Sequence, residues 1–207
     1  MRACQICDAT GKRVILANYK DTKHCLFECT GCGHRYIDGL EISQPILDEY
    51  YLHRYVTDDK PYSEGRLSSL AVLVASQTKS VLDIGGTDGE LQKHLEGRGV
   101  VVDVAGVGDD YPYHEGVILS HVLEHVYDLH ELFCHITCDK IFVEIPIHLE
   151  YVPPTEYDYQ WQHINKFRPQ DIEALLRRKG YTMSISKQIE DYREYKVWRI
   201  AGIREGS

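Results

Sequence analysis

Four cysteines fall in two pairs of equal spacing, Cys4-x-x-Cys7 and Cys29-x-x-Cys32, the second pair followed by Gly33. A two-residue spacer turns both sulfurs of a pair to one side of a tight bend, and two such pairs complete a tetrahedral thiolate shell. A shell closed by four sulfurs leaves no position for a substrate, so the spacing predicts a structural zinc and not a catalytic one. The cysteine total of seven is odd, and paired spacing in a chain read as cytoplasmic favours metal ligation over disulfides. A redox pair is the alternative. His24, Cys25 and His34 offer substitute ligands but break the paired spacing.

A second group is the run Asp83-Ile84-Gly85-Gly86-Thr87-Asp88-Gly89, set between an apolar stretch and a helical pattern that opens at Glu90. Glycines there let the backbone approach a ligand, and the following helix offers amides to an anionic group. The bland alternative is a plain strand-to-helix turn. No Gly-Lys-Ser/Thr follows, so this is not a phosphate-binding loop of the Walker type. Asp103 stands near the end of the next apolar run, where doubly wound folds place the acid that holds ribose hydroxyls. An exposed strand-end aspartate explains it equally well.

These residues need a scaffold, and the pattern along the chain supplies one. Residues 1–40 read as a zinc-binding knuckle, polar and rich in turns, whose folding energy comes from the metal. Residues 41–60, with Tyr50, Tyr51 and Tyr55, read as a linker with a short helix that ends at Asp58-Asp59-Lys60-Pro61. Residues 61–207 form the main domain. Leu67, Leu70 and Val74 recur at helical spacing, 80–84 is a buried strand, 90–98 a helix closed by Gly99, and 100–104 a second buried strand. Then follow a strand at 117–120, a helix at 123–136, a strand at 140–145 stopped by Pro146, and an aromatic loop at 151–161. A helix at 169–179, closed by Gly180, leads into two β-rich runs at 181–189 and 195–203. The expectation is an α/β fold, a Rossmann-like doubly wound and mostly parallel sheet with a C-terminal antiparallel hairpin, preceded by a small zinc ribbon or knuckle.

Composition narrows the function classes. Length 207, with 43% hydrophobic and 27% charged residues, fits one α/β core plus a small appendage. The net charge is -9 and no basic run exceeds Arg177-Arg178-Lys179, which argues against a nucleic-acid partner. No apolar stretch reaches the ~20 residues that span a bilayer, and the opening Met1-Arg2-Ala3-Cys4 lacks a signal-peptide pattern, so a cytoplasmic location without membrane contact is expected.

Val81-Leu82-Asp83-Ile84-Gly85-Gly86-Thr87-Asp88-Gly89 resembles motif I of the class I S-adenosylmethionine (SAM) dependent methyltransferases, in the form seen in sugar C-methyltransferases and their relatives. Gly108-Asp109-Asp110-Tyr111-Pro112-Tyr113, followed by Ser120-His121-Val122-Leu123-Glu124-His125-Val126, is similar to the family's later acidic loop and fourth strand. Trp161-Gln162-His163-Ile164-Asn165-Lys166-Phe167-Arg168-Pro169 resembles the segment that leads into its late helix, and 27–36 resembles the zinc knuckle that precedes some members. The resemblance implies SAM as cofactor beside the structural zinc, and methyl transfer to a sugar or related small polar metabolite. It implies cofactor contacts from Asp83, Gly85, Gly86, Gly89, His121 and Asp103, with Asp109 or Asp110 facing the adenine. The family normally places strand, helix, strand and helix between motif I and the fourth strand. Here only 99–116 intervene after the first helix, so the fold is expected to be shortened in the middle by one helix and one strand.

Such a transfer requires a positioned acceptor and, for a hydroxyl or carbon acid, removal of a proton, a task suited to histidine. His125, with His121 and His163, is the candidate; a histidine that caps or packs a helix start is the alternative. His121-x-x-Glu124-His125 also spells the inverted zinc-peptidase pattern, but it follows a buried strand in an α/β repeat and is read as coincidence. Two rival readings stand beside the enzyme. One is a degenerate methyltransferase fold that binds a protein partner through its knuckle, and the other is an RNA methyltransferase.

Overall fold

Alternation of apolar residues along the buried strands decides how this chain layers. Val81, Ile118 and Phe142 point to one face of a sheet, where they pack with Leu67, Leu70, Val74, Leu91 and Leu95. Their neighbours Leu82, Val117, Leu119 and Val143 point to the other face, against Leu129, Leu132, Phe133, Ile172 and Leu176. A sheet buried on both faces requires helices on both, which is the doubly wound arrangement. The computed structural model describes residues 3–19, 22–38, 64–86, 89–147, 163–192 and 195–206. The expected linker helix with Tyr50, Tyr51 and Tyr55, the aromatic loop with Tyr151, Tyr157, Tyr159 and Trp161, and the loop residues Thr87 and Asp88 lie outside them.

The elements, in chain order, are β1 (Gly11–Tyr19), β2 (Thr22–Cys29), β3 (Arg35–Asp38), α1 (Glu64–Ala75), β4 (Ser80–Ile84), α2 (Glu90–Glu96) and β5 (Val101–Ala105). There follow β6 (Gly116–Ser120), a 3-10 turn (Leu123–His125), α3 (Leu129–His135), β7 (Lys140–Ile147), β8 (Asn165–Lys166), α4 (Pro169–Arg178), β9 (Tyr181–Tyr192) and β10 (Tyr195–Arg204). One sheet has the order β5-β4-β6-β7-β10-β9, parallel through β7, with β10 inserted antiparallel between β7 and β9. The expected α/β architecture, its terminal hairpin and its shortened middle are all present.

The shortening has a clear geometric form. Residues 106–115 carry the chain from the end of β5 back to the start of β6 with no helix or strand between them. Ten residues in extended form reach roughly 33 Å, ample to return along a five-residue strand. β5 is left at the sheet edge, and Val101 and Val104 are 63% and 44% exposed.

Three expectations are corrected. The helix expected over 123–136 is a 3-10 turn followed by α3, because Asp128 adopts an extended backbone and accepts a hydrogen bond from the Glu131 amide, starting a new helix. β7 runs through Pro146 to Ile147, where Pro146 lies opposite Val197 of β10. The N-terminal segment contains a long β1–β2 hairpin.

That hairpin extends through β3 to β8, giving a second sheet of order β1-β2-β3-β8. Tyr36 pairs with Asn165, and Cys4, Ile6, Phe27 and Tyr36 share one apolar cluster with Leu82 and Phe167. Gln5 reinforces the junction, donating to the Tyr127 carbonyl at 2.6 Å and accepting from the Leu129 amide at 2.6 Å. On the other side of the main sheet, buried Glu144 accepts from Arg66 Nη1 and Arg199 Nε, each at 2.7 Å. Removing one member would leave buried charge uncompensated, at a cost of ~3–5 kcal/mol.

Candidate functional site

The four sulfurs of Cys4, Cys7, Cys29 and Cys32 lie within 4.8 Å of one another. Cys7 and Cys29 sulfurs are 3.4 Å apart and those of Cys4 and Cys32 are 3.7 Å apart, far beyond a disulfide bond. Four thiolates bound to one zinc at ~2.3 Å stand about 3.8 Å from each other, so the donor set fits this ion. The amides of Gly31 and Cys32 donate to Cys29 Sγ at 3.3 and 3.5 Å. Burial pushes the Cys4 thiol up to about 11 and raises Cys32 too. At Cys29 burial acts in the same sense, but the amides of Cys32 and Gly31 outweigh it and bring the thiol down to about 7. A dication would ionise all four. His34, once a substitute ligand, instead packs between Tyr36 and Phe167 and faces Asp171 at 3.5 Å.

The glycine loop leaves β4 at the carboxyl edge of the main sheet. Gly85 has φ +81°, and a Cβ there would lie 2.9 Å from Val122 Cγ2, so both conformation and space require glycine. Gly86 is closed over the buried carboxylate of Asp83, whose Oδ2 would sit 2.3 Å from an added Cβ. Gly89, at φ +69°, opens α2, and a Cβ there meets nothing nearer than Gln92 Oε1 at 3.8 Å. The loop is tied to the adjacent strand where the Gly85 amide donates to the Ala105 carbonyl at 2.8 Å. Immediately beyond, the Gly106 amide donates to Asp109 Oδ2 at 2.6 Å, and Tyr111 Oη donates to the Gly106 carbonyl at 3.1 Å. An acid is thereby folded onto the end of β5, beside the glycine loop.

Asp103 is placed differently. It pairs with Leu82 in mid-strand, and its exposed carboxylate meets His114 Nε2 at 3.1 Å, which pins the returning segment across β5. Asp110 is exposed in the same turn as Asp109.

A third group gathers where β6 ends. His121 takes the left-handed conformation, φ 56°, unusual for a side-chain-bearing residue, while its amide donates to the Glu144 carbonyl at 2.8 Å. Glu124 is 1% exposed, and neither carboxylate oxygen has a hydrogen-bond partner. His121 Nδ1 at 3.4 Å and His125 Nε2 at 3.5 Å face Glu124 Oε1 at ion-pair distance. Burial would push this carboxyl up, but the charges of His125 and His121 prevail and hold it below its ordinary range. The His163 ring lies 4.8 Å from that of His125.

Asn165 explains that meeting, which sequence reasoning missed. Its buried amide donates to the carbonyls of Leu123 and Val126, at 3.0 and 2.9 Å, clamping the 3-10 turn against β8. Because Asn165 also pairs with Tyr36, the knuckle sheet, the late segment and the histidines share one frame. The structure thus brings His125 to His163 and to Glu124, and His121 to the same Glu124 oxygen. It also sets Asp83 against Gly86. It does not bring Asp103 to the strand end.

No family model and no curated protein matches the sequence. Solved structures do match in fold. The magnesium protoporphyrin IX methyltransferase ChlM from Synechocystis PCC 6803, with bound SAM, aligns at TM-score 0.58 and 13% identity over 81% of this chain and 100% of that one. The Burkholderia thailandensis 1,6-didemethyltoxoflavin-N1-methyltransferase, with its substrate and S-adenosylhomocysteine, aligns at TM-score 0.56 and 13% identity over 90% and 98%. An alignment to the SAM-dependent methyltransferase SibL spans only 53% of that longer chain, at TM-score 0.49 and 16% identity. The fold is that of the class I SAM-dependent methyltransferases.

Proposed function

We propose that this chain binds SAM at the carboxyl edge of the main sheet and transfers its methyl group to a small polar acceptor, such as a sugar or related metabolite. The observation that carries the reading is the junction of two strand ends, where the Gly85 amide meets Ala105 and Asp109 folds back on Gly106. Ligands of doubly wound sheets bind in the crevice beyond the carboxyl ends of the strands, at this kind of place. When bound, SAM supplies an electrophilic methyl group on a sulfonium. Gly85, Gly86 and Gly89 would line its amino-acid and ribose side. We assign the ribose hydroxyls to Asp109 in preference to Asp103, because Asp109 lies at the strand end and Asp103 is engaged with His114. Asp110 would face the adenine.

The group that would activate the acceptor is the set His121, Glu124, His125 and His163. It adjoins the glycine loop, since Val122, between His121 and Leu123, is the residue that a Cβ at Gly85 would meet. Zinc at the cysteines is structural in this reading. It holds β2 and β3, through which β8 and His163 are placed.

The test is transfer of labelled methyl from SAM into extracted pools. Label in the polar-metabolite fraction supports the proposal. Label confined to RNA would favour the nucleic-acid reading, against which the net charge of -9 weighs. No label anywhere would leave a degenerate fold that binds a protein partner. Support for that rival is weakened by the inner side of the knuckle, which is already packed on the chain's own core.

A further inference from the structure

We infer that Glu124, His125 and His163 form a second metal site, distinct from the cysteine cluster, that takes a divalent transition-metal cation through nitrogen and oxygen ligands. One donor atom from each lies within 4.8 Å of the others. Donors on a single ion at ~2.0–2.2 Å stand about 3–3.5 Å apart in tetrahedral or cis positions, so the three side chains must draw together by roughly 1 Å or more as the ion binds. The independent observation is Glu124 itself: a carboxylate 1% exposed, turned toward the histidines, whose two oxygens have no hydrogen-bond partner. Two histidines face this carboxylate but leave its hydrogen-bonding capacity unmet, and a cation among the three donors would satisfy it directly.

The donor set selects the class of ion. Two imidazoles and one carboxylate suit zinc, iron, cobalt or nickel better than magnesium or calcium, which prefer oxygen alone. Three protein ligands also leave positions open, unlike the four-sulfur shell. Here the sequence pattern His121-x-x-Glu124-His125 is a partial ligand set after all, though not on a peptidase scaffold. His121, whose Nδ1 lies 3.4 Å from the same Glu124 oxygen that His125 faces, orients the carboxylate.

What the ion would do rests on the methyl-transfer reading. At the rim of the crevice an open position would take an acceptor oxygen, lower its pKa and hold it toward the methyl group, so that no histidine need act as free base. The site does not depend on that reading.

Cobalt(II) is the probe, titrated into zinc-loaded full-length protein by calorimetry and visible absorption. The expected result is one cobalt per chain beyond the zinc, with ligand-field bands and no intense sulfur-to-metal charge-transfer band. Glu124→Gln and His163→Asn should each weaken binding at least tenfold while keeping the zinc content that reports an intact fold; should Glu124→Gln fail to fold, His163→Asn carries the test. No uptake at millimolar cobalt, a sulfur charge-transfer band, or equal binding by folded His163→Asn would overturn the proposal. Cobalt binding without SAM binding keeps the site and removes the methyl-transfer role, and SAM binding without cobalt does the reverse.

Discussion

The cysteine cluster and the carboxyl edge of the main sheet differ in how many parts of the chain each must gather. The cluster takes four sulfurs from two short turns, and each turn is built by its own local spacing. The edge draws on the end of β4, the turn after β5, the 3-10 turn after β6 and the segment before β8, brought together only when the sheet forms. A site of the first kind gains its geometry from the metal. A site of the second kind gains it from the packed core and from a few buried polar clamps, above all Asn165. The two are nevertheless coupled, because β3 pairs with β8 and because Cys4 and Cys29 belong to the same apolar cluster as Leu82 and Phe167.

The largest effect tests that coupling. Cys29→Ser should take bound zinc from one per chain to none, since structural zinc in small modules contributes ~10 kcal/mol or more to folding. Amide hydrogen exchange should then accelerate over 3–38 and also over 163–168, with β4 to β7 still protected. Loosening confined to 3–38 would instead make the knuckle an independent unit.

A smaller effect is expected at the clamp. Asn165→Ala leaves the Leu123 and Val126 carbonyls without their donor, which should lower stability by ~2–3 kcal/mol in thermal or denaturant unfolding. A loss below half a kcal/mol would show that water replaces the amide and that the late segment is held by other means.

The smallest lies at the junction of knuckle and α4, where Asp171 meets His34 and Arg168. Burial alone would raise this carboxyl, but hydrogen bonds from His34 and Arg168 bring it down to about 2. A depressed folded-state value adds stability that is present above the unfolded value of ~4 and is lost as pH falls toward 2. The contribution is ~2 kcal/mol near neutrality. Wild type and Asp171→Asn should therefore differ in stability at pH 6 and converge by pH 2; a difference independent of pH would contradict the assignment.

Legibility followed the same division. Cysteine spacing, the glycine run and the short apolar runs of the core strands are local signals, and each predicted its element. The missing strand was legible too, because only 99–116 intervene between the first helix and the fourth strand. The N-terminal hairpin was not, since residues 1–40 read as turn-rich and their register is set only by pairing through β3 to β8. The break at Asp128 was available as an Asp-x-x-Glu capping pattern, Asp128 to Glu131, masked by the helical periodicity around it. Asp103 looked right by its distance from Asp83, but strand register puts it opposite Leu82, two residues short of the end. Gln5 and Asn165 carry no sequence signal of their own roles, because each works on groups distant along the chain.

The central claim, a SAM crevice built from Gly85 to Gly89 and Asp109, is tested most directly by calorimetric titration of S-adenosylhomocysteine and SAM into zinc-loaded protein. The account predicts micromolar-range binding, ~8 kcal/mol. It predicts a loss of ~1.5–3 kcal/mol in Asp109→Ala, the scale of hydrogen bonds to a charged group. Gly85→Ala, whose Cβ would meet Val122 at 2.9 Å, should bind neither ligand while retaining its zinc. Folded, zinc-replete wild-type protein that gives no heat at millimolar SAM would contradict the claim.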